Sequence, residues 1–170
     1  MNRLWRAAVI TVSDSRSGDP DDTSGSAIVE RLADLPAEVV RRDWVVDSIE
    51  AIQASVRDSL AAADLVVLSG GTGLGPRDVT PEALAPLLDY VVPGMAEAMR
   101  QEGLRHTPHA MLSRQTVGVA ERRLVISLPG NPRAVRESLD AVWAALPHAL
   151  ALLYGETGHA PPERHASGPR

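Results

Sequence analysis

Three polar stretches of this 170-residue chain hold the side chains best suited to chemistry. They are Thr-Val-Ser-Asp-Ser at 11–15, Ser-Gly-Gly-Thr-Gly at 69–73 with Pro-Arg-Asp-Val-Thr at 76–80, and Leu-Pro-Gly-Asn-Pro at 128–132. Each follows or overlaps the end of a short apolar run (6–13, 64–68 and 124–128) that reads as a buried strand. In open α/β sheets ligands bind beyond the carboxyl ends of strands, so these are the places to look for a site. Glycines at 70, 71, 73 and 75 allow the backbone to approach an anion closely and turn its N–H groups toward it. The loop that holds them runs about ten residues from strand to helix, beyond the two to six of ordinary βα connections, and long loops tend to be functional. The chemistry they suit is binding of a phosphate-bearing ligand, with Arg77 as an added positive charge.

Asp14, Asp47 and Asp78 all fall where a strand or its following loop ends, so the fold can gather them round one crevice. Carboxylates facing phosphates require a divalent cation between them, and Mg²⁺ favours a few carboxylates together with phosphate oxygens. Asp47 also suits a plain helix N-cap. Asp78 does not need that role, because Thr80 before Pro81 is the expected cap. Ser113 and Arg114 suit a phosphate or a polar ring, or else simple exposure. Asp19, Asp21 and Asp22 lack calcium-loop spacing and read as solvating a loop. Several chemistries are excluded. No Gly-Lys-Ser/Thr ends the glycine loop, no GxGxxG follows the first strand, and no serine occupies a GxSxG elbow. Histidines 106, 109, 148, 159 and 165 lack metal-ligand spacing.

The elements that must position these residues alternate. After the first strand, residues 14–26 read as a loop, and Ile28, Leu32 and Leu35 stripe a helix capped by Asp22, Thr23 or Ser24. A strand over 38–46 precedes a helix marked by Ile49, Ile52, Val56 and Leu60, with Asp47 or Ser48 at its cap. Further helices begin at Thr80-Pro81-Glu82 and Pro93-Gly94. A strand is expected near 115–119, and one long helical stripe runs from Val135 to Leu146. Alternating strands and helices predict an α/β fold on a mostly parallel sheet, forming one domain over 1–154. Residues 155–170, rich in Gly, Pro, His and charge, predict a disordered tail.

Composition narrows the classes. A formal charge of −5 and 3% aromatics argue against nucleic-acid partners. The apolar stretch near the N-terminus is too short for an export signal or a membrane span, and the absence of cysteine agrees with a reducing compartment, so a cytoplasmic protein is expected.

Taken in order, TVSDS at 11–15, DDTSG at 21–25, LSGGTG at 68–73, PRDVTPEA at 76–83, PGMAEAMR at 93–100, MLSRQ at 111–115 and LPGNP at 128–132 carry a family resemblance. The chain resembles molybdenum-cofactor biosynthesis proteins of the molybdopterin-binding type, especially the MogA-like bacterial molybdopterin adenylyltransferases. The resemblance implies a three-layer α/β/α fold, a homotrimer, dealings with other proteins of cofactor biosynthesis, and the reaction of molybdopterin with Mg-ATP to give adenylyl-molybdopterin and pyrophosphate. Carried across motif by motif, it implies Asp47 and Asp78 as catalytic and Mg²⁺-holding residues. Ser13, Asp14, Ser69, Gly70, Gly71, Thr72 and Gly73 would bind nucleotide and pterin, with Ser113 and Arg114 nearby and Pro129, Gly130 and Asn131 as the opposite wall. A molybdopterin-binding paralogue of the MoaB type, in a molybdenum or tungsten pathway, and a non-catalytic scaffold are the alternatives.

Overall fold

The computed structural model describes residues 3–14 and 22–155. A six-stranded sheet has the order β2-β1-β3-β6-β5-β4, built from Trp5–Val12 (β1), Ala37–Val45 (β2), Leu65–Ser69 (β3), Tyr90–Val91 (β4), Val117–Ala120 (β5) and Arg123–Leu128 (β6). The strands β2, β1, β3 and β6 run parallel, whereas β5 is antiparallel to both β6 and β4. The sheet is therefore mostly parallel, as the alternation of elements implies.

Both faces of the sheet are covered, which explains why its central strands read as unbroken apolar runs. Ala7 and Val9 of β1, Leu65 and Val67 of β3, and Leu124 and Ile126 of β6 face one core. That core is closed by Thr23–Leu32 (α1), Pro93–Leu104 (α4), Pro132–Val142 (α5) and Leu146–Leu153 (α6). The alternate residues Ala8, Ile10, Val66, Leu68 and Val125 face the other core, closed by Ile49–Ala62 (α2) and Thr80–Leu84 (α3). Two residue sets of period two thus sort themselves to opposite helical layers, giving three layers, α/β/α.

Several elements depart from the sequence expectation. Asp22, one of the three expected caps, does cap α1, accepting from the Gly25 N–H at 2.9 Å, but the helix begins at Thr23, inside the stretch 14–26 expected to be loop. Asp22 does not solvate that loop: it is 9% exposed, accepts the Thr11 hydroxyl at 2.9 Å and pairs with Arg42. Burial raises its pKa, but the bonds from Arg42, Gly25 and Thr11 outweigh burial and lower it overall. Asp19, Asp21 and the expected tail beyond Gly155 lie outside the described residues. The 135–146 stripe is not one helix. It breaks into a 3₁₀ turn at Trp143–Ala145 and restarts as α6, because Pro147 has no N–H to continue the ladder and fits only a first turn. The strand expected at 115–119 starts two residues later and turns straight into β6 through Glu121 and Arg122, both at positive φ. Neither residue type announces such a turn, which ordinarily calls for Asn or Gly. The two-residue edge strand β4 has too few residues to show a period.

Candidate active site

The parallel register brings the three polar stretches side by side. Thr11 is level with Ser69, and Ser69 with Leu128, so the chain leaves β1, β3 and β6 at one rim. There the Gly70 N–H donates to the Leu128 carbonyl at 3.0 Å. Gly70 and Gly71 both have positive φ, 100° and 64°, a conformation that glycine alone adopts freely. Space is equally restrictive. A Cβ on Gly70 would strike the Val12 carbonyl, and one on Gly71 would strike the Thr80 hydroxyl and lie 3.2 Å from the Asp47 carboxylate. A Cβ on Gly73 or Gly75 would sit 2.8 Å from Asp78 Oδ2. The glycines are there because two carboxylates and a hydroxyl lie against the backbone.

Thr80 is not the cap of α3. It is the first helical residue, with no side-chain cap bond before it at Val79, and its hydroxyl donates to the Gly70 carbonyl at 2.8 Å while its N–H donates to the Gly71 carbonyl. Helix and glycine loop are thereby stitched together. Asp78 is in turn fixed by accepting the Gly75 N–H at 2.8 Å. Ser48, not Asp47, caps α2, which leaves the Asp47 carboxylate for other work. It accepts the Asp14 N–H at 2.9 Å, and Asp14 Oδ1 accepts the Asp47 N–H at 2.8 Å. This reciprocal pair ties the end of β1 to the loop before α2. Burial, and then the nearby negative charge of Asp78, push the Asp47 carboxyl above its ordinary range. Two like charges converge on one place.

A cavity of about 470 Å³ opens at this rim. Of the residues expected to form a site, Ser13, Asp47, Gly70, Gly71, Thr72, Gly73, Asp78, Ser113, Pro129, Gly130 and Asn131 line it. Asp14 lies just outside, in a shallow annex with Arg77, to which it is ion-paired. Ser69 is fully buried beneath the floor and donates to Ser24 at 3.1 Å. Arg114 does not line the cavity. Its guanidinium donates to the carbonyls of Gly73 (2.8 Å) and Asp78 (2.6 Å) and pairs with Glu82, bracing the loop from behind. The Asn131 carboxamide caps α5, accepting from Arg133 and Ala134. His109 and Leu112 also line the cavity and were not foreseen. They lie on the 3₁₀ turn Pro108–Leu112, and the signal lay in Thr107-Pro108, a start that winds the chain tightly enough to set 109, 112 and 113 on the cavity side.

No cluster of three or more acidic or histidine side chains able to cage a metal occurs among the described residues. Two converging carboxylates with hard oxygen donors do suit Mg²⁺, which takes one or two carboxylates and fills its remaining positions with water and substrate phosphate. A glycine-rich loop with two carboxylates lying against it, lining one cavity at the carboxyl ends of parallel strands, suits an anionic ligand together with a cation.

Comparison with known proteins makes the class specific. A family model described as "Probable molybdopterin binding domain" matches residues 8–148. The molybdopterin adenylyltransferase of Helicobacter pylori (strain J99) is 39% identical over 86% of this chain and 86% of its own length. The molybdenum cofactor biosynthesis bifunctional protein of Synechococcus elongatus is 44% identical over 88% of this chain, which spans only 47% of that longer protein. The crystal structure of the molybdopterin biosynthesis enzyme MoaB of Thermus thermophilus superposes with a TM-score of 0.80 at 47% identity, covering 89% of this chain and 98% of that one. This chain belongs to the molybdopterin-binding domain family of molybdenum-cofactor biosynthesis.

Proposed function

We propose that the protein is a molybdopterin adenylyltransferase. The observation that carries the reading is that Asp47 and Asp78, lying against the Gly71–Gly75 backbone, line one cavity that also reaches Ser113. The reaction joins a terminal phosphate oxygen of molybdopterin to the α-phosphorus of ATP as the bond to the β-phosphate oxygen breaks. Pyrophosphate leaves with the electron pair. Little covalent chemistry is asked of the protein, and positioning two anionic ligands in line is its main task.

The backbone of Gly71, Thr72 and Gly73, which lines the cavity, would take up phosphate charge without reorganisation at the moment of reaction. Asp47 and Asp78 would hold Mg²⁺, which when bound neutralises phosphate charge between them. Burial, and then the charge of Asp78, raise the Asp47 pKa, and a bound cation would offset both, so these carboxylates are arranged to gain from a cation. Asp14 holds Asp47 by the reciprocal bonds, and Arg114 keeps the Asp78 end of the loop in place. Ser113, across the cavity, would meet the pterin or its phosphate.

The family resemblance supports a cytoplasmic homotrimer that works beside other proteins of the same biosynthesis. Among the described residues no helix is long and apolar enough to cross a membrane. The 47% identity to a MoaB supports a second reading, a molybdopterin-binding paralogue without adenylyl transfer, in either a molybdenum or a tungsten pathway. Mass spectrometry of a mixture of protein, molybdopterin, ATP and Mg²⁺ separates the two. Mg²⁺-dependent adenylyl-molybdopterin is the expected product, and tight molybdopterin binding without product favours the paralogue.

A further inference from the structure

The site must hold phosphate charge, yet the charged groups on its walls are mostly carboxylates. Asp47 and Asp78 line the cavity, and Asp14 lines the annex of about 330 Å³ that shares Ser13 and Asp47 with it. Among the described residues lining either space, Arg77 is the one arginine or lysine. Its backbone is held from the next residue: the Asp78 N–H donates to the Gly75 carbonyl at 3.0 Å, the Asp78 carboxylate accepts the Gly75 N–H, and Arg114 donates to the Asp78 carbonyl at 2.6 Å. Its side chain has a looser hold. It is 69% exposed and pairs with Asp14 Oδ2. Asp14 is fixed through its other oxygen, Oδ1, which accepts the Asp47 N–H at 2.8 Å, so this carboxylate keeps its place when Arg77 leaves it.

We infer that Arg77 exchanges Asp14 for the two outer phosphates of ATP and holds pyrophosphate as it leaves. This rests on the adenylyltransferase reading and adds to it the group that meets the leaving phosphates. Asp47 lines both spaces, so a phosphate chain that starts at the glycine loop and passes Asp47 runs into the annex and meets Arg77 there. Magnitudes favour the exchange. An ion pair this exposed is worth a factor of about five at most. A guanidinium donating two parallel bonds to phosphate oxygens makes a stronger and more specific contact. The movement of charge points the same way. As the bond between the α-phosphorus and the bridging oxygen breaks, its electron pair goes to pyrophosphate, and negative charge grows on the leaving group. A cation placed there stabilises the transition state more than the bound substrate.

Calorimetric titration of the full chain with ATP, pyrophosphate and AMP, each with Mg²⁺, separates this role from that of a brace. Arg77→Met should weaken ATP and pyrophosphate by about tenfold or more and leave AMP, which lacks the outer phosphates, within about twofold. Asp14→Asn removes the ion pair and keeps an oxygen to accept the Asp47 N–H. It should tighten pyrophosphate binding by about two- to fivefold, and by less in the Arg77→Met background, because part of the gain acts through the freed arginine. In turnover Arg77→Met should lower kcat/KM for ATP and leave the KM for molybdopterin in place. Unchanged pyrophosphate affinity in Arg77→Met, or an equal loss for AMP and pyrophosphate, overturns the inference and leaves adenylyl transfer standing. An equal gain from Asp14→Asn with and without Arg77 overturns the exchange. Selection of pyrophosphate over AMP that depends on Arg77, in a protein that forms no adenylyl-molybdopterin, upholds the phosphate contact and overturns the functional reading. A wild-type protein that binds neither ATP nor pyrophosphate overturns both.

Discussion

The two ends of the parallel sheet each gather aspartates and use them in opposite ways. At the end where the strands begin, Asp64 is 7% exposed and accepts the Arg6 N–H at 2.8 Å, the Arg3 guanidinium at 3.2 Å and the Tyr154 hydroxyl. Arg3 also stacks over Tyr154 at 3.7 Å and Trp5 at 4.8 Å, so the N-terminal segment, β3 and the end of α6 are locked together. Burial, and then the hydrogen bond to Asp64, hold the Tyr154 hydroxyl above its ordinary pKa. At the end where the strands finish, Asp47 and Asp78 each accept one backbone N–H and line the same open cavity. One aspartate has its bonding capacity used by the fold. The other two keep theirs, at an electrostatic cost, which is the condition for meeting a cation or a ligand.

Replacing aspartates at the two ends should therefore have opposite signatures. The largest effect is expected from Asp78→Ala, which should cut adenylyl transfer by about a thousandfold, in the range found when a preorganised charge partner of the transition state is removed. Its melting temperature should stay close to wild type; near-normal turnover would place the chemistry elsewhere. Asp64→Ala should do the reverse. Loss of an acceptor shared by a guanidinium, an N–H and a phenol should cost about 2 kcal/mol, discounted from a fully buried pair because Arg3 is partly exposed. Calorimetry should show a fall of roughly 4–8 °C with kcat within about twofold.

Arg114→Met lies between these cases, because it removes a brace and no ligand contact. Loosening the Gly73 and Asp78 carbonyls should lower kcat/KM by about tenfold through misplacement, with partial rescue by Lys, and an unchanged value would show that the loop holds itself. The smallest effect is expected for Asp47→Asn on stability. The folded-state pKa of Asp47 is raised above the ordinary aspartate value. A raised carboxyl pKa means the folded protein binds the proton more tightly, so its stabilising contribution is complete below that value and fades as pH rises through the folded pKa. At neutral pH the ionised carboxylate is a net burden. The variant should be slightly more stable there, by less than ~0.5 kcal/mol after solvent screening, and lose that advantage in acid below pH ~4. A variant less stable at neutral pH would mean that the bond from Asp14 outweighs the repulsion.

Much of this arrangement was legible in the residues, and the misses share a cause. The glycine loop, Asp47, Asp78 and Ser113 are recognisable because backbone geometry and strand-end position restrict residue type locally. Local rules predict a capping role for Thr80, yet tertiary packing gives its hydroxyl to the Gly70 carbonyl. The resemblance puts Arg114 near the ligand, but the Gly73 and Asp78 carbonyls of the glycine loop and Glu82 of α3, all more than thirty residues away in the chain, claim it. His109 has no metal-ligand spacing to single it out in the sequence, and its place on the cavity wall depends on how the 3₁₀ turn packs.

From its sequence alone this protein's alternation of buried strands with striped helices, its glycine nest and the identity of its acidic residues were determined, because each is governed by local sterics and a short hydrophobic period. Only the tertiary structure decided which carboxylates keep unused bonding capacity, and which arginine braces and which faces solvent. Those outcomes depend on contacts between segments distant in the chain, and neither residue type nor spacing encodes such contacts.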